Sequence, residues 1–325
     1  MILEPKNQIK NRINQYKSDL IFEPKNFGRI MLFATIDVGS NAVRLLLTNV
    51  RVDEGEAVFE RVALLRVPIR LGEDAFPHGK ISKDKTEMLI QTLCGFREIM
   101  DGFQVTDSMA CATSALREAK NGNKIVRQIQ KRTGIKLKII DGKREAKLIY
   151  SNHIEKNFDP DYFYLYIDVG GGSTEITLVG GGYKKSKSFN VGCIRLKDGF
   201  VRKDTWKEMD KWLRKNVPRS SVIGIGSGGN IRSLYMLSKK AHNAPLTYDE
   251  LHDLCSTLRS QTIEERMVNF DLKSDRADVI VPACYIYLHI LKRCNIQTIH
   301  APIIGLSDGM VHELYAKHKK KFLDR

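Results

Sequence analysis

The sequence predicts an α/β protein built from two related domains with a ligand cleft between them. Three observations predict this. The first is an apolar run, Tyr164 to Val169, that meets three glycines and continues as Ser173-Thr174-Glu175-Ile176-Thr177-Leu178. The second is a similar hairpin at Phe33-Ala34-Thr35-Ile36-Asp37-Val38-Gly39-Ser40-Asn41, about 130 residues earlier, and self-similarity at such long spacing is a fold-level signal. The third is the alternation of strand-like apolar runs with amphipathic helical ones along the rest of the chain. Facing hairpins would leave the ligand in the cleft between the domains, a favoured place for small-molecule sites.

Each hairpin carries the chemistry of an anion cradle. Asp168 ends a strand, where its side chain can leave the sheet. Gly170, Gly171 and Gly172 follow. Glycine allows several backbone N–H groups to turn toward one anion. Ser173 and Thr174 add hydroxyls and Glu175 a second carboxylate. Amides that hold phosphate oxygens beside carboxylates that hold a metal or its waters suit a phosphate chain carrying Mg²⁺. The competing reading is a hairpin that merely needs glycine, and the first hairpin, with Asp37, Gly39, Ser40 and Asn41, tilts the balance toward phosphate.

Along the chain, residues 1–30 read as a basic extension or one amphipathic helix. Phe59 to Leu71 reads as a strand, with Pro68 marking an edge or a bend; Arg66 and Arg70 could face a polyanion from it but read better as solvated charges on its face. Ser82 to Gly102 is a helix with Leu89, Leu93 and Phe96 on its buried stripe. Ser108 to Ala112 leads into a helix at Thr113-Ser114-Ala115-Leu116-Arg117, where free N–H groups attract anions and Arg117 could fork onto a phosphate. Asn121 to Lys131 continues as a helix, and Lys136 to Ile140 is a strand. Lys143 to Tyr150 opens the helix that joins the domains. Glu145 in its first turn could reach the cleft and act as a general base on water, but the residues alone favour a dipole-stabilised helix-start residue. Tyr183 to Lys187 reads as an exposed basic turn, Phe189 to Leu196 as a strand and bend, and Lys203 to Asn216 as a helix. Ser221 to Gly229 followed by Asn230 forms a third glycine cradle, with Gly228 and Gly229 at a helix start. Leu246 to Ser260, Ala277 to Cys294 and a final segment after Gly305 complete the helices.

Composition bounds the partners. The 325 residues suffice for two domains with real cores. Lys plus Arg total 53 against 38 for Asp plus Glu, a net charge of +15, which favours a polyanionic partner. Basic residues are not interleaved with aromatics, which argues against a nucleic-acid binder. The six cysteines form no Cys-x-x-Cys pair, as expected of reduced thiols in a cytoplasmic protein. No secretory core and no apolar run of membrane-spanning length is present, so no membrane partner is expected.

The motifs together resemble the exopolyphosphatase and guanosine pentaphosphate phosphohydrolase family, of the actin/hexokinase-like superfamily. The carrying pieces are residues 36–41, Ala112 to Arg117, Gly142 to Ala146, residues 167–175, Gly226 to Gly229, and Leu306-Ser307-Asp308-Gly309. The resemblance implies two actin/hexokinase/ribonuclease H-like domains, at 31–143 and 144–304, with a last helix at about 305–320 packing back on the first. It implies phosphate release from inorganic polyphosphate, pppGpp or both, in a homodimer needing Mg²⁺, with a monovalent cation such as K⁺ as a candidate second ion. Glu145 becomes the base that activates water, Arg117 a phosphate contact, and Asp168, Glu175 and Asp37 the metal carboxylates. The chain stops near where longer members add a helical metal-phosphohydrolase-like domain, so a short-form member is expected. It departs from the family at Arg144, where an acid often stands, and at Ala42, where Ser is common. Arg144 beside Glu145 would lower the pKa of the base. A kinase or ATPase of the same superfamily and a non-catalytic sensor are the alternative readings.

Overall fold

The structure is a computed structural model, described for residues 30–323 apart from 153–158, 220 and 242. The extension expected at 1–30 lies outside the described residues, except for Ile30. The first sheet contains β1 (Met31–Val38), β2 (Val43–Asp53), β3 (Glu56–Val67), β4 (Asp107–Ala112) and β5 (Leu137–Ile139), in the order β3-β2-β1-β4-β5. The second contains β6 (Phe163–Val169), β7 (Thr174–Gly180), β8 (Tyr183–Phe189), β9 (Val222–Ser227), β10 (Leu246–Thr247) and β11 (Thr298–His300). Read from its other edge, its order is β8-β7-β6-β9-β11-β10.

The two orders are the same through five strands, and so are the strand senses. Three antiparallel strands come first, and two parallel crossovers follow. The chain therefore has the duplicated α/β architecture that its two hairpins predict. β1 and β6 are central in their sheets. That position explains why both read as nearly unbroken apolar runs, with Phe33, Ala34, Leu165 and Ile167 fully buried.

Helices cover the sheets where the apolar periodicity places them. Lys83–Gly102 is capped by the Ser82 side chain, which accepts from the Lys85 amide, and it buries Leu89, Ile90, Leu93, Phe96 and Met100. Ile125 and Ile129 of Gly122–Thr133 join that core. In the second half, Met209 and Leu213 of Lys203–Asn216 pack in one core with the apolar helix Ile280–Arg293. The last helix, Leu306–Leu323, returns to the first sheet, where Val311 and Leu314 pack with Met31, Phe33, Leu46 and Val50. Its Leu306 and Met310 also meet Leu148 and Ile149 of the helix Gly142–Tyr150.

Several local expectations are corrected. Tyr183 to Lys187 is not a turn but most of the edge strand β8. Its lysines hide a strand because an edge tolerates, and is protected by, outward charge. The strand and bend expected from Phe189 to Leu196 is only the end of β8, followed by a helix at Cys193–Lys197. Leu246 and Thr247 belong to a strand, and Thr247 then caps the helix Tyr248–Arg259. The strand expected to reach Leu71 stops at Val67, before Pro68, and is an edge strand. Arg66 and Arg70 are not solvated face charges. Arg66 pairs with Asp275 and Arg70 with Asp278, tying the first half of the chain to the second. All six cysteines are free, and five are buried.

The return of the last helix depends on a close approach. A Cβ built on Gly309 would lie 1.8 Å from the Leu148 carbonyl oxygen, a backbone atom that cannot step aside. Gly309→Ala is expected to lower unfolding stability by about 1–3 kcal/mol, the usual cost of overpacking. Denaturant titration of both proteins measures it.

Candidate active site

The ends of β1 and β6 meet between the two halves of the chain. Each hairpin closes in the same way: the Gly39 amide donates to the Ala42 carbonyl at 3.1 Å, and the Gly170 amide donates to the Ser173 carbonyl at 2.9 Å. The turns are in close contact. A Cβ on Gly171 would lie 3.0 Å from Ser40 Cβ, and one on Gly172 would lie 2.4 Å from Ser114 Oγ. Glycine is needed here for space rather than for positive φ. The Ser40 and Ser114 hydroxyls are themselves hydrogen-bonded at 2.8 Å.

Beside this contact opens a cavity of about 370 Å³. Its wall includes Asp37, Gly39, Ser40, Asn41, Glu145, Asp168, Gly170, Gly171, Ser173, Gly228 and Gly229. Most of the residues singled out from the sequence are thus brought to one place, from both halves of the chain. Gly172, Glu175 and Arg117 are not at the wall. Thr174 is fully buried, and its hydroxyl donates to the Val191 carbonyl, so it offers nothing to a ligand. Gly228, with φ +82°, starts the helix Gly228–Leu237, and its amide donates to the Ile304 carbonyl. The Asn41 side chain donates to the Asp275 carbonyl at 2.9 Å.

The carboxylates behave as a repelling group. Asp168 accepts from Ser227 Oγ at 2.9 Å and Glu175 from Ser188 Oγ at 2.7 Å. Burial pushes Asp168 up to about 6 from its ordinary 3.8, with the Asp37 charge adding to the rise. Burial, followed by the charge of Asp168, pushes Glu175 up to about 7. Glu145 is also raised well above its ordinary value, first by burial and then by Glu175. Its place at a helix start opposes this, and burial outweighs it. Glu145 Oε2 is buried without a hydrogen bond and lies 3.6 Å from Arg117 Nη1. Arg117 donates to the Ile140 carbonyl at 2.8 Å, so it supports Glu145 from behind rather than reaching into the cavity.

Arg144 does not act on Glu145 as its sequence neighbourhood suggests. It forks onto Glu313 of the last helix, with one contact at 2.6 Å, and the raised pKa of Glu145 reverses the expected lowering. Successive helix residues point in different directions, which adjacency in sequence conceals.

Sequence reasoning undervalued the arginines of the cavity: it weighed Arg66 against a polyanion and set it aside, and it did not single out the others. Arg44, Arg61, Arg66, Arg232 and Arg276 all line it. Arg44 pairs with Asp37 at 2.7 Å, which takes one oxygen of a carboxylate expected to hold metal. Arg276 donates to Asn230 Oδ1; burial, then the neighbouring Arg66 and Arg44 charges, pulls it down to about 10. One signal could have found Arg44. It faces Asp37 across the first hairpin as Glu175 faces Asp168 across the second, so the duplication itself marks the position.

The sequence pattern described as the Ppx/GppA phosphatase family matches residues 50–318. The chain belongs to this family. The matched span begins after the first glycine turn, whose likeness to the second rests on the paired geometry above. Among curated proteins similar in sequence, a bifunctional 3-dehydroquinate synthase/phosphatase of Fusobacterium nucleatum is 28% identical over 88% of this chain; the matched region is 45% of that protein, so this chain spans less than half of it. Exopolyphosphatase 1 of Mycobacterium leprae is 24% identical over 86% of this chain and 88% of its own length. Among solved structures, an exopolyphosphatase from Cytophaga hutchinsonii is 25% identical with a TM-score of 0.77, covering 88% of this chain and 98% of its own. The Aquifex aeolicus Ppx/GppA family member is 25% identical with a TM-score of 0.70, covering 89% and 99%. Among the described residues, no helix is long and apolar enough to cross a membrane.

The raised carboxylates set a pH dependence. Between their ordinary and raised values, the folded protein binds more protons than the unfolded chain. The stability they contribute is therefore present below their ordinary values and lost as pH rises through about 6 for Asp168 and about 7 for Glu175. Without divalent cations, the melting temperature of the wild type should fall between about pH 5 and about pH 8 more steeply than that of Glu175→Gln. Thermal melts across that range measure the difference.

Proposed function

We propose that this Ppx/GppA member is a Mg²⁺-dependent phosphoanhydride hydrolase that releases the terminal phosphate of inorganic polyphosphate, pppGpp or both. The observation that carries the reading is the convergence of two glycine turns, five arginines and the buried Glu145 on one cavity between the sheets. Names of relatives such as exopolyphosphatase 1 support the same substrate class.

In this reading, the amides of Ser40, Asn41, Gly171 and Ser173, with that of Gly229 at its helix start, hold the terminal phosphoryl groups, while the Gly39, Gly170 and Gly228 amides fix the turns themselves. Arg44, Arg66 and Arg276 neutralise the phosphates behind them. Glu145 accepts a proton from water as the water oxygen bonds to the terminal phosphorus. The bond from that phosphorus to the bridging oxygen breaks, and the bridging oxygen leaves on the shortened chain. A carboxylate whose pKa is raised toward neutrality is a better base at neutral pH than an ordinary one. Arg117 keeps Glu145 oriented and limits the rise of its pKa. Positioning and charge neutralisation supply most of the rate gain.

The donor set fits a hard divalent cation. Asp168 offers a carboxylate at the cavity wall, and Glu175, buried behind it, adds a repulsion that a cation would relieve. Among the described residues, no three acidic, His or Cys side chains form a ready cage. Mg²⁺ does not require one, since it takes one or two carboxylates and completes its shell with phosphate oxygens and water. When bound, the ion would neutralise charge developing on the phosphoryl oxygens. Asp37 serves this set indirectly, by fixing Arg44.

One observation favours pppGpp among the substrates. The cavity wall includes Leu64, Met236 and Ile303, which are large, exposed and apolar. Such a rim suits a nucleobase and is of no use to a bare phosphate chain. Localisation in the cytoplasm and a homodimeric state belong to the same proposal.

Phosphate release from long polyphosphate, short polyphosphate and pppGpp, with and without Mg²⁺, tests the reading. Release should require Mg²⁺, and Glu145→Gln should lower kcat by about 10²–10⁴-fold, the usual contribution of a general base. Relative rates assign the substrate. Tight binding with no release from any of the three would make the protein a sensor rather than an enzyme.

A further inference from the structure

We infer that Arg195 is a positioning residue that holds the glycine turn of the second half in its working shape and couples it to the element carrying Arg117. The inference rests on the hydrolase reading above and assigns a role to a residue that touches neither phosphate nor water in that account.

Three consecutive carbonyls of the glycine turn are pinned from one side. The Cys193 amide donates to the Gly170 carbonyl at 2.9 Å, and the Ile194 amide donates to the Gly171 carbonyl at 2.9 Å. The third, at Gly172, is held by a side chain: Arg195 Nε donates to it at 2.6 Å. All three donors come from the first turn of Cys193–Lys197. With its carbonyls turned to that helix, the turn is left to present its N–H side to an anion. The packing leaves no slack, because a Cβ on Gly192 would lie 2.4 Å from the Gly171 carbonyl oxygen.

The same guanidinium reaches across to the first half of the chain. Arg195 Nη2 donates to Glu118, and the group lies 3.9 Å from the centre of the Phe76 ring. Glu118 ends the helix Ser114–Glu118 next to Arg117, and Arg117 stands 3.6 Å from Glu145. The Phe76 ring is also what a Cβ on Gly172 would strike, at 2.3 Å. One buried side chain thus connects the phosphate-binding turn to the helix whose Arg117 backs the proposed base. A guanidinium suits this work because its planar fork serves two acceptors while its face lies on an aromatic ring; an ammonium cannot do all three.

The coupling predicts effects on turnover rather than on substrate affinity. Arg195→Gln should lower kcat by about tenfold or more while KM changes by less than about threefold. Arg195→Lys should recover only part of the loss. Glu118→Gln, at a partly exposed position, keeps the bond to Gly172 and the contact with Phe76 and removes only the charge from the link to Glu118; it should give a smaller fall in kcat of the same kind. Hydrogen exchange provides a readout independent of turnover. In Arg195→Gln, the amides of 170–174 should exchange faster, while those of the distant β10–β11 pair should not. If Arg195→Gln does not fold, Arg195→Lys and Glu118→Gln carry the test.

Uniformly faster exchange throughout the second half, with kcat unchanged well below the melting temperature, would show a merely structural role and overturn the inference. A rise in KM with kcat unchanged would also overturn it, by making Arg195 a substrate contact. An inactive wild type would count against the hydrolase reading instead, and the local exchange result would still decide whether Arg195 shapes the turn.

Discussion

The arrangement depends on the cost of burying negative charge. Glu145, Asp168 and Glu175 are crowded where the two sheets meet, and burial is the first cause of the raised pKa in all three. Unpaired buried charge is expensive, and groups so placed shift their pKa or acquire partners. Here each carboxylate keeps a stabilising contact: a hydrogen bond from Ser227 for Asp168, one from Ser188 for Glu175, and the Arg117 charge for Glu145. None of these contacts discharges the group as a whole. The cleft therefore concentrates buried negative charge, which in the proposed reading a divalent cation would relieve. Functional sites are where such a cost is tolerated.

The duplicated sheets make that crowding possible. The same strand order in both halves brings two strand ends and two glycine turns together, one acidic pair opposite one aspartate–arginine pair. In the first half the second position is Arg44, and in the second half it is Glu175. The two copies have the same backbone and opposite charge at that point, so the first half brings a guanidinium to the cleft where the second brings a carboxylate. Arg66–Asp275 and Arg70–Asp278 then hold the halves together on the arginine side, while Arg195 and Glu118 do so at the turn.

Much of this was legible in the sequence, and the parts that were not share a cause. The hairpins, the capped helix after Ser82 and the amphipathic helix around Met209 and Leu213 announce themselves through local pattern. So does the choice of cavity residues in the glycine turns, since glycine beside a strand-end acid is a local signal. β8 was hidden because three lysines at a sheet edge look like a loop. Arg66, Arg70, Arg195 and Arg276 were hidden because their partners lie far away along the chain. A surface arginine and an arginine bridging two halves look the same in one dimension. Arg144 failed in the opposite way: adjacency suggested an influence on Glu145 that helix geometry denies.

The most direct test of the account is proton exchange on ligand binding. Mg²⁺ with a slowly hydrolysed triphosphate can be titrated calorimetrically near pH 6.5, in buffers of different ionisation enthalpy. If the cleft carboxylates are partly protonated when empty and a cation with phosphate relieves them, binding must release protons; Glu175→Gln must release fewer. Binding of equal affinity with no proton release would contradict the claim that buried, repelling carboxylates form the metal and phosphate site.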